Sequence, residues 1–146
     1  MIQVEVQYAT SADGIPCEDT FRSWVGKVEV ESTQEVALRI VDEAEMTQLN
    51  QQYRKKSGVT NVLSFPAELP DGVDVPFLGD IIICAPVVAR EAADQGKLLD
   101  SHWAHMVVHG ILHLQGYDHI DDAEAEQMES LEIKIMHLLG FANPYV

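Results

Sequence analysis

Apolar and polar residues alternate from the first position. Met1-Ile2-Gln3-Val4-Glu5-Val6-Gln7-Tyr8 reads as a half-buried strand. Ser11-Ala12-Asp13-Gly14 reads as a turn, and Pro16 suits the first position of a helix. A stripe of Phe21, Trp24, Val25 and Val28 carries that helix to about Ser32. The β-branched run Val36 to Val41 predicts a strand, after which Asp42 caps a helix through about Tyr53 with Ala44, Met46 and Leu49 facing inward. Asn61-Val62-Leu63-Ser64-Phe65 is a short strand stopped by Pro66, and Pro70-Asp71-Gly72 with Pro76 marks an irregular loop. Leu78 to Ala85 is continuous enough for a strand buried on both faces. Pro86 opens a helix that Gly96 ends after about Gln95. Asp100 or Ser101 can cap the next helix, which reaches Leu114 before Gly116 stops it. A last helix runs from Asp121 to about Leu139, with acids in its first turn and Gly140 past its end.

The pattern predicts a mixed α/β domain of the α+β kind, with about four strands in a sheet packed with about five helices. With 146 residues, no internal repeat and no linker-like tract, residues 1–146 read as a single domain. A chain of this length buries enough surface to fold without disulfides. Cys17 and Cys84 form no CxxC pair, and Cys84, inside Ile81-Ile82-Ile83-Cys84-Ala85, reads as a buried thiol. The opening segment has no basic n-region or apolar h-region, and the apolar run Ile81 to Ala89, broken by Pro86, is too short to span a bilayer. The expectation is a cytoplasmic protein with no membrane partner.

Charge complicates the choice of ligand. The formal net charge is −15, from 24 acidic and nine basic residues, and such a field repels polyanions at long range. The bases are unevenly spread, however. Arg54, Lys55 and Lys56 are adjacent, whereas residues 118 to 132 hold seven acids and neither lysine nor arginine. A local basic patch on an acidic body is compatible with that distribution.

The densest chemistry lies in the fourth predicted helix. At about 100° per residue, with His109 at zero, His113 falls near 40°, His105 near −40° and His102 near 20°. Four of the six histidines thus share one face, opposite Trp103, Val107, Val108 and Ile111. Imidazoles four apart lie one turn above each other and can both reach a single Zn²⁺. His105/His109 and His109/His113 both have that spacing; a third ligand must come from chain that turns back. Gly116 supplies the turn and His119 follows, which favours a single zinc ion on His109, His113 and His119. The spacing matches that of HExxHxxGxxH proteases, but Gly110 stands where those enzymes carry the glutamate base. What remains is a three-histidine site with an open fourth position, or a structural zinc if Cys17 completes it. His102 and His105 fall outside this ligand set, and His137 sits in a last helical turn where an imidazolium suits the dipole. Asp118 reads equally as a carboxylate that orients an imidazole and as a loop cap.

The segment His109-Gly110-Ile111-Leu112-His113-Leu114-Gln115-Gly116-Tyr117-Asp118-His119 resembles the HGxLHLxGYDH signature of the YbeY family of bacterial endoribonucleases, also described as rRNA maturation factors. Tyr53-Arg54 with Thr60-Asn61-Val62-Leu63-Ser64-Phe65-Pro66 is similar to that family's YRxKDxPT[DN]VLSFP segment, with Ser57 and Val59 in place of its usual Asp and Pro. Leu78-Gly79-Asp80-Ile81, Leu139-Gly140-Phe141 and Pro144-Tyr145 also resemble family segments.

The resemblance implies a zinc-dependent single-strand endoribonuclease acting in 16S rRNA 3′-end maturation and ribosome quality control, with ribosomal proteins or assembly factors as partners. Arg54 would then bind the phosphate as the catalytic cation, because its planar fork pairs two oxygens and keeps its charge. Without the resemblance, Arg54 reads as well as a surface cation at a helix end. Two alternatives keep the same metal ligands: a non-catalytic ribosome-assembly factor with structural zinc, and a zinc hydrolase of a small ester or amide. A metalloprotease is disfavoured by Gly110.

Overall fold

The computed structural model describes residues 1–28, 30, 32–70, 72, 75–118 and 120–145. β1 (Ile2–Tyr8) and β2 (Gln34–Val41) pair in parallel, which no tight turn can achieve, and α1 (Glu18–Gly26) is the crossover between them. α1 is shorter than the amphipathic stripe predicts. Cys17 takes the N-cap in extended backbone, while the Pro16 carbonyl accepts the Tyr8 hydroxyl at 2.8 Å. At the other end Gly26, a poor helix former, is the last helical residue, and Val28 enters the core from non-helical chain.

α2 (Glu43–Arg54) starts as the sequence predicts, with the Asp42 side chain accepting the Glu45 N–H at 2.9 Å. β3 (Val62–Pro66) and β4 (Phe77–Cys84) are antiparallel neighbours, and the sheet order is β1-β2-β4-β3. β4 is therefore central, parallel to β2, and Ile81, Ile82, Ile83 and Cys84 are all buried, which accounts for its unbroken apolar run. The β2–β4 register slips between Glu35 and Val36, leaving Leu78 as the extra residue. Gly79 sits at this irregularity with φ 146°, where a Cβ would lie 2.2 Å from the Phe65 carbonyl oxygen.

Each sheet face carries its own core. Ile2, Val36, Leu38, Ile40, Ile81 and Ile83 face α1 and α4 (Leu99–Leu114), together with Phe21, Trp24, Trp103 and Ile111. Val41, Leu63, Ile82 and Cys84 form the smaller core, which Met46 of α2 and Val87 of α3 (Ala85–Gln95) close. α3 has Pro86 in its first turn and a left-handed Gly96 cap, both as the sequence predicts. α4 begins earlier than predicted. Leu98 is its N-cap, because Leu99 packs on the core and Asp100 serves the positive end from inside the first turn. α5 (Asp122–Leu138) is capped by Asp121, which accepts the Glu124 N–H at 2.7 Å, and it packs on α4. Among the described residues, no helix is long and apolar enough to cross a membrane.

The position that matters most for the site is Gly110. A Cβ there would lie 2.9 Å from Cγ2 of Ile81 and 3.1 Å from its Cδ1, so α4 crosses β4 at a distance only glycine permits. The protease glutamate is absent for a steric reason: its place in the pattern points into the sheet. We expect Gly110→Ala to destabilise the fold by about 1–3 kcal/mol, because buried Ile81 cannot move aside freely. A lower urea midpoint with unchanged denaturant slope would show it.

Candidate metal centre

Burial divides the four histidines of α4. His102 and His105 are 4% and 8% exposed, whereas His109 and His113 are half-buried. The imidazole face predicted from periodicity is therefore interior at its N-terminal end and open only in its last two turns. Successive ring centroids are 6.4 Å apart for His102/His105, 6.2 Å for His105/His109 and 4.8 Å for His109/His113. Of the two pairs with ligand spacing, His109/His113 is the closer.

His109 and His113 line a cleft of about 390 Å³ with Arg54 and residues 60–64. Three elements build it. α4 supplies the rings, β3 the strand beside them, and the end of α2 the arginine. α2 stops at Lys55, whose φ of 55° turns the chain sharply after Arg54. The loop that follows, where Ser57 and Val59 depart from the family pattern, is held by Asn50, whose side-chain amide donates to the Gly58 carbonyl at 3.1 Å. Arg22, Arg39 and Arg90 each pair with a glutamate, while Arg54, Lys55 and Lys56 make no ion pair with any described residue. The structure thus brings together Arg54, His109 and His113 from the sequence-predicted site.

His119, the third predicted ligand, lies outside the described residues. The turn toward it is as expected. Gly116 has φ 99°, its N–H reaches the His113 carbonyl at 3.0 Å, and the Tyr117 N–H reaches that of Leu112 at 3.1 Å, a glycine-terminated helix end. Asp118 is half-buried in that turn. Cys17 is exposed at the start of α1, and no metal-capable group among the described residues includes a cysteine. His137 is exposed in the last turn of α5, as the dipole reading has it.

Two carboxylates complete the polar face, and neither was singled out from sequence. Glu91 of α3 meets His102 Nε2 at 3.0 Å and accepts from the Asn61 amide at 3.1 Å, linking the buried end of α4 to the cleft wall. Glu132 of α5 is 0% exposed. Its Oε2 is hydrogen-bonded to His105 Nε2 and accepts the Tyr145 hydroxyl at 2.7 Å, while its Oε1 lies 3.1 Å from His109 Nδ1. Burial pushes the Glu132 carboxyl upward, but the hydrogen bonds from His105, His109 and Tyr145 outweigh it and hold the group at about 2. Burial, and then Glu132 itself, push the Tyr145 phenol well above its ordinary range. The sequence signal for Glu132 is a single acid on the apolar stripe of α5, between buried Met128 and buried Met136.

His105, His109 and Glu132 offer three donor atoms within 4.8 Å of one another and can hold a metal ion. In the arrangement described, hydrogen bonds join them. The other ring pair at the cleft, His109 and His113, has centroids 4.8 Å apart.

Removing Glu91 leaves His102 buried with neither ring nitrogen partnered, since its Nδ1 already has no hydrogen bond. We expect Glu91→Ala to lower stability by about 1–3 kcal/mol while metal content stays unchanged. Thermal unfolding paired with metal analysis would read both quantities.

Comparison with known proteins agrees with this geometry. The family model described as "Endoribonuclease YbeY" matches residues 5–140. Among solved structures, TM1509 from Thermotoga maritima, determined in solution, is 27% identical with a TM-score of 0.61, over 91% of this chain and 87% of that one. With the signature helix, the cleft and the match in agreement over nearly the whole length, this chain belongs to the endoribonuclease YbeY family, and that membership supports an endoribonuclease role in rRNA maturation.

Proposed function

We propose that this protein is a cytoplasmic, zinc-dependent endoribonuclease that cuts single-stranded RNA in 16S rRNA 3′-end maturation and in ribosome quality control. One Zn²⁺ is held by His109, His113 and His119, and Arg54 is the catalytic cation. The supporting observation is the cleft itself: two imidazoles with centroids 4.8 Å apart share it with an arginine from a different element.

Zinc in such a site supplies Lewis acidity toward a phosphoryl oxygen and acidifies water. The chain's own residues do the rest. Neutral imidazole ligands leave the full charge of the ion available to an anionic substrate. Arg54 presents a planar fork that grips two phosphate oxygens, orients the ester and opposes the charge that builds on it as the bond to the leaving oxygen breaks. Closely packed Gly110 excludes a carboxylate base of the protease kind from this helix position.

The net charge of −15 limits what the cleft can hold unaided. Affinity for a phosphate backbone needs cations, and Arg54, Lys55 and Lys56 are the adjacent ones at this rim. A ribosomal protein or assembly factor that recruits the enzyme raises the effective RNA concentration and supplies the missing affinity. Free single-stranded RNA should therefore bind weakly, and nanomolar binding at physiological salt would contradict that recruitment.

His113→Ala, folded and with its metal content recorded, should lose both zinc and cleavage of a single-stranded rRNA fragment that the wild type cuts. Arg54→Ala should keep its zinc and lose about 10²–10³-fold in cleavage rate. Equal activity of wild type and His113→Ala in parallel preparations would point instead to an assembly factor contaminated by another nuclease.

A further inference from the structure

We propose that Glu132 is a positioning residue of the metal centre: it fixes the ring of His109 through Nδ1, and Tyr145 of the C-terminal segment and His105 hold the carboxylate in place. The inference rests on the reading that His109 is a metal ligand.

The directions of the hydrogen bonds carry it. An ionised carboxylate can only accept, so each partner of Glu132 must donate. Tyr145 donates through its hydroxyl at 2.7 Å, His105 through Nε2, and His109 through Nδ1 at 3.1 Å. A neutral His109 with its proton on Nδ1 carries its lone pair on Nε2, the atom through which it would bind a metal. His105 is spent differently. Its Nε2 is committed to Glu132, and its Nδ1 is buried without a partner, so that ring braces the carboxylate and has no exposed nitrogen for an ion.

The brace extends to the end of the described chain. Tyr145 is brought to Glu132 by a segment that leaves α5 at Leu138, and Lys97, at the end of α3, fastens it by donating to the Pro144 carbonyl at 2.6 Å. Tyr145 also packs edge-on against His105, with centroids 5.3 Å apart. The rotation of the His109 ring is thus set by residues from α4, from α5 and from the C-terminal segment.

The test titrates zinc-loaded protein with a competing chelator and reads the His109 tautomer from the ¹⁵N shifts of its ring. Wild type should show Nδ1–H. Glu132→Gln keeps the side-chain volume but turns an amide donor toward one of the rings, and should bind zinc about 10- to 100-fold more weakly. Tyr145→Phe, which lies outside the predicted ligand set, should shift affinity in the same direction by less, and adding it to Glu132→Gln should cost little more. Wild-type affinity in folded Glu132→Gln, or an Nε2–H tautomer of His109 in the wild type, overturns the proposal. Should Glu132→Gln fail to fold, the wild-type tautomer and Tyr145→Phe decide it. His113→Ala separates the two levels. If it loses zinc while Glu132→Gln does not, the positioning role fails and the ligand reading stands. If it binds zinc normally while His105→Ala and Glu132→Gln do not, the ion sits among His105, His109 and Glu132, and both the positioning role and the ligand set His109, His113 and His119 fail.

Discussion

Everything at the cleft depends on how closely α4 approaches β4. The absence of a side chain at Gly110 lets the helix lie against Ile81, and the depth of that contact fixes which histidines are covered and which are open. With the helix seated there, Ser64 of β3 lies near the Gly110 carbonyl, at 3.4 Å, and His109 and His113 border the strand that forms the cleft wall. A helix held further out would carry the same residues with a different division between interior and solvent. The packing constraint and the chemical one are therefore met at neighbouring positions.

Along α4 the same residue type does three kinds of work, sorted by depth. His102, the most covered, ties Glu91 to the helix and, through Asn61, to the cleft wall. His105 braces a buried carboxylate. His109 and His113, nearest the mouth, line the cleft. Two acids from two other helices serve this face, and each is matched to an imidazole that would otherwise be buried without a partner. Such matching is what lets a helix with Trp103, Val107 and Ile111 on its core side carry so much polar surface on the other.

Features governed by a few neighbouring residues were legible in the sequence. The Asp42 and Asp121 caps, the Gly96 and Gly116 terminators and the apolar run of β4 depend on local chemistry, and the structure contains each of them. That His102, His105, His109 and His113 share one face was legible for the same reason, since helical periodicity alone sets it. Misreadings arose where packing overrode the local pattern. Val28 continues the stripe of α1 yet is buried from non-helical chain, and Leu99 starts α4 ahead of the polar caps because the core takes its side chain. Glu132 escaped notice because its partners come from α4 and the C-terminal segment, and only the packing of α5 reveals them. A single acid between two buried methionines was the one trace it left.

The wall of the cleft is drawn from Arg54, residues 60–64, His109 and His113, and Glu132 and Tyr145 support it from behind His109. Hydrogen bonds to Glu132 join positions up to 27 residues apart, and the cleft itself spans a longer stretch of chain. A polypeptide still emerging during synthesis has made the arginine and the histidine helix well before it has made the tyrosine that braces them. On the proposed reading, the His109 brace is complete only after Tyr145 has been made.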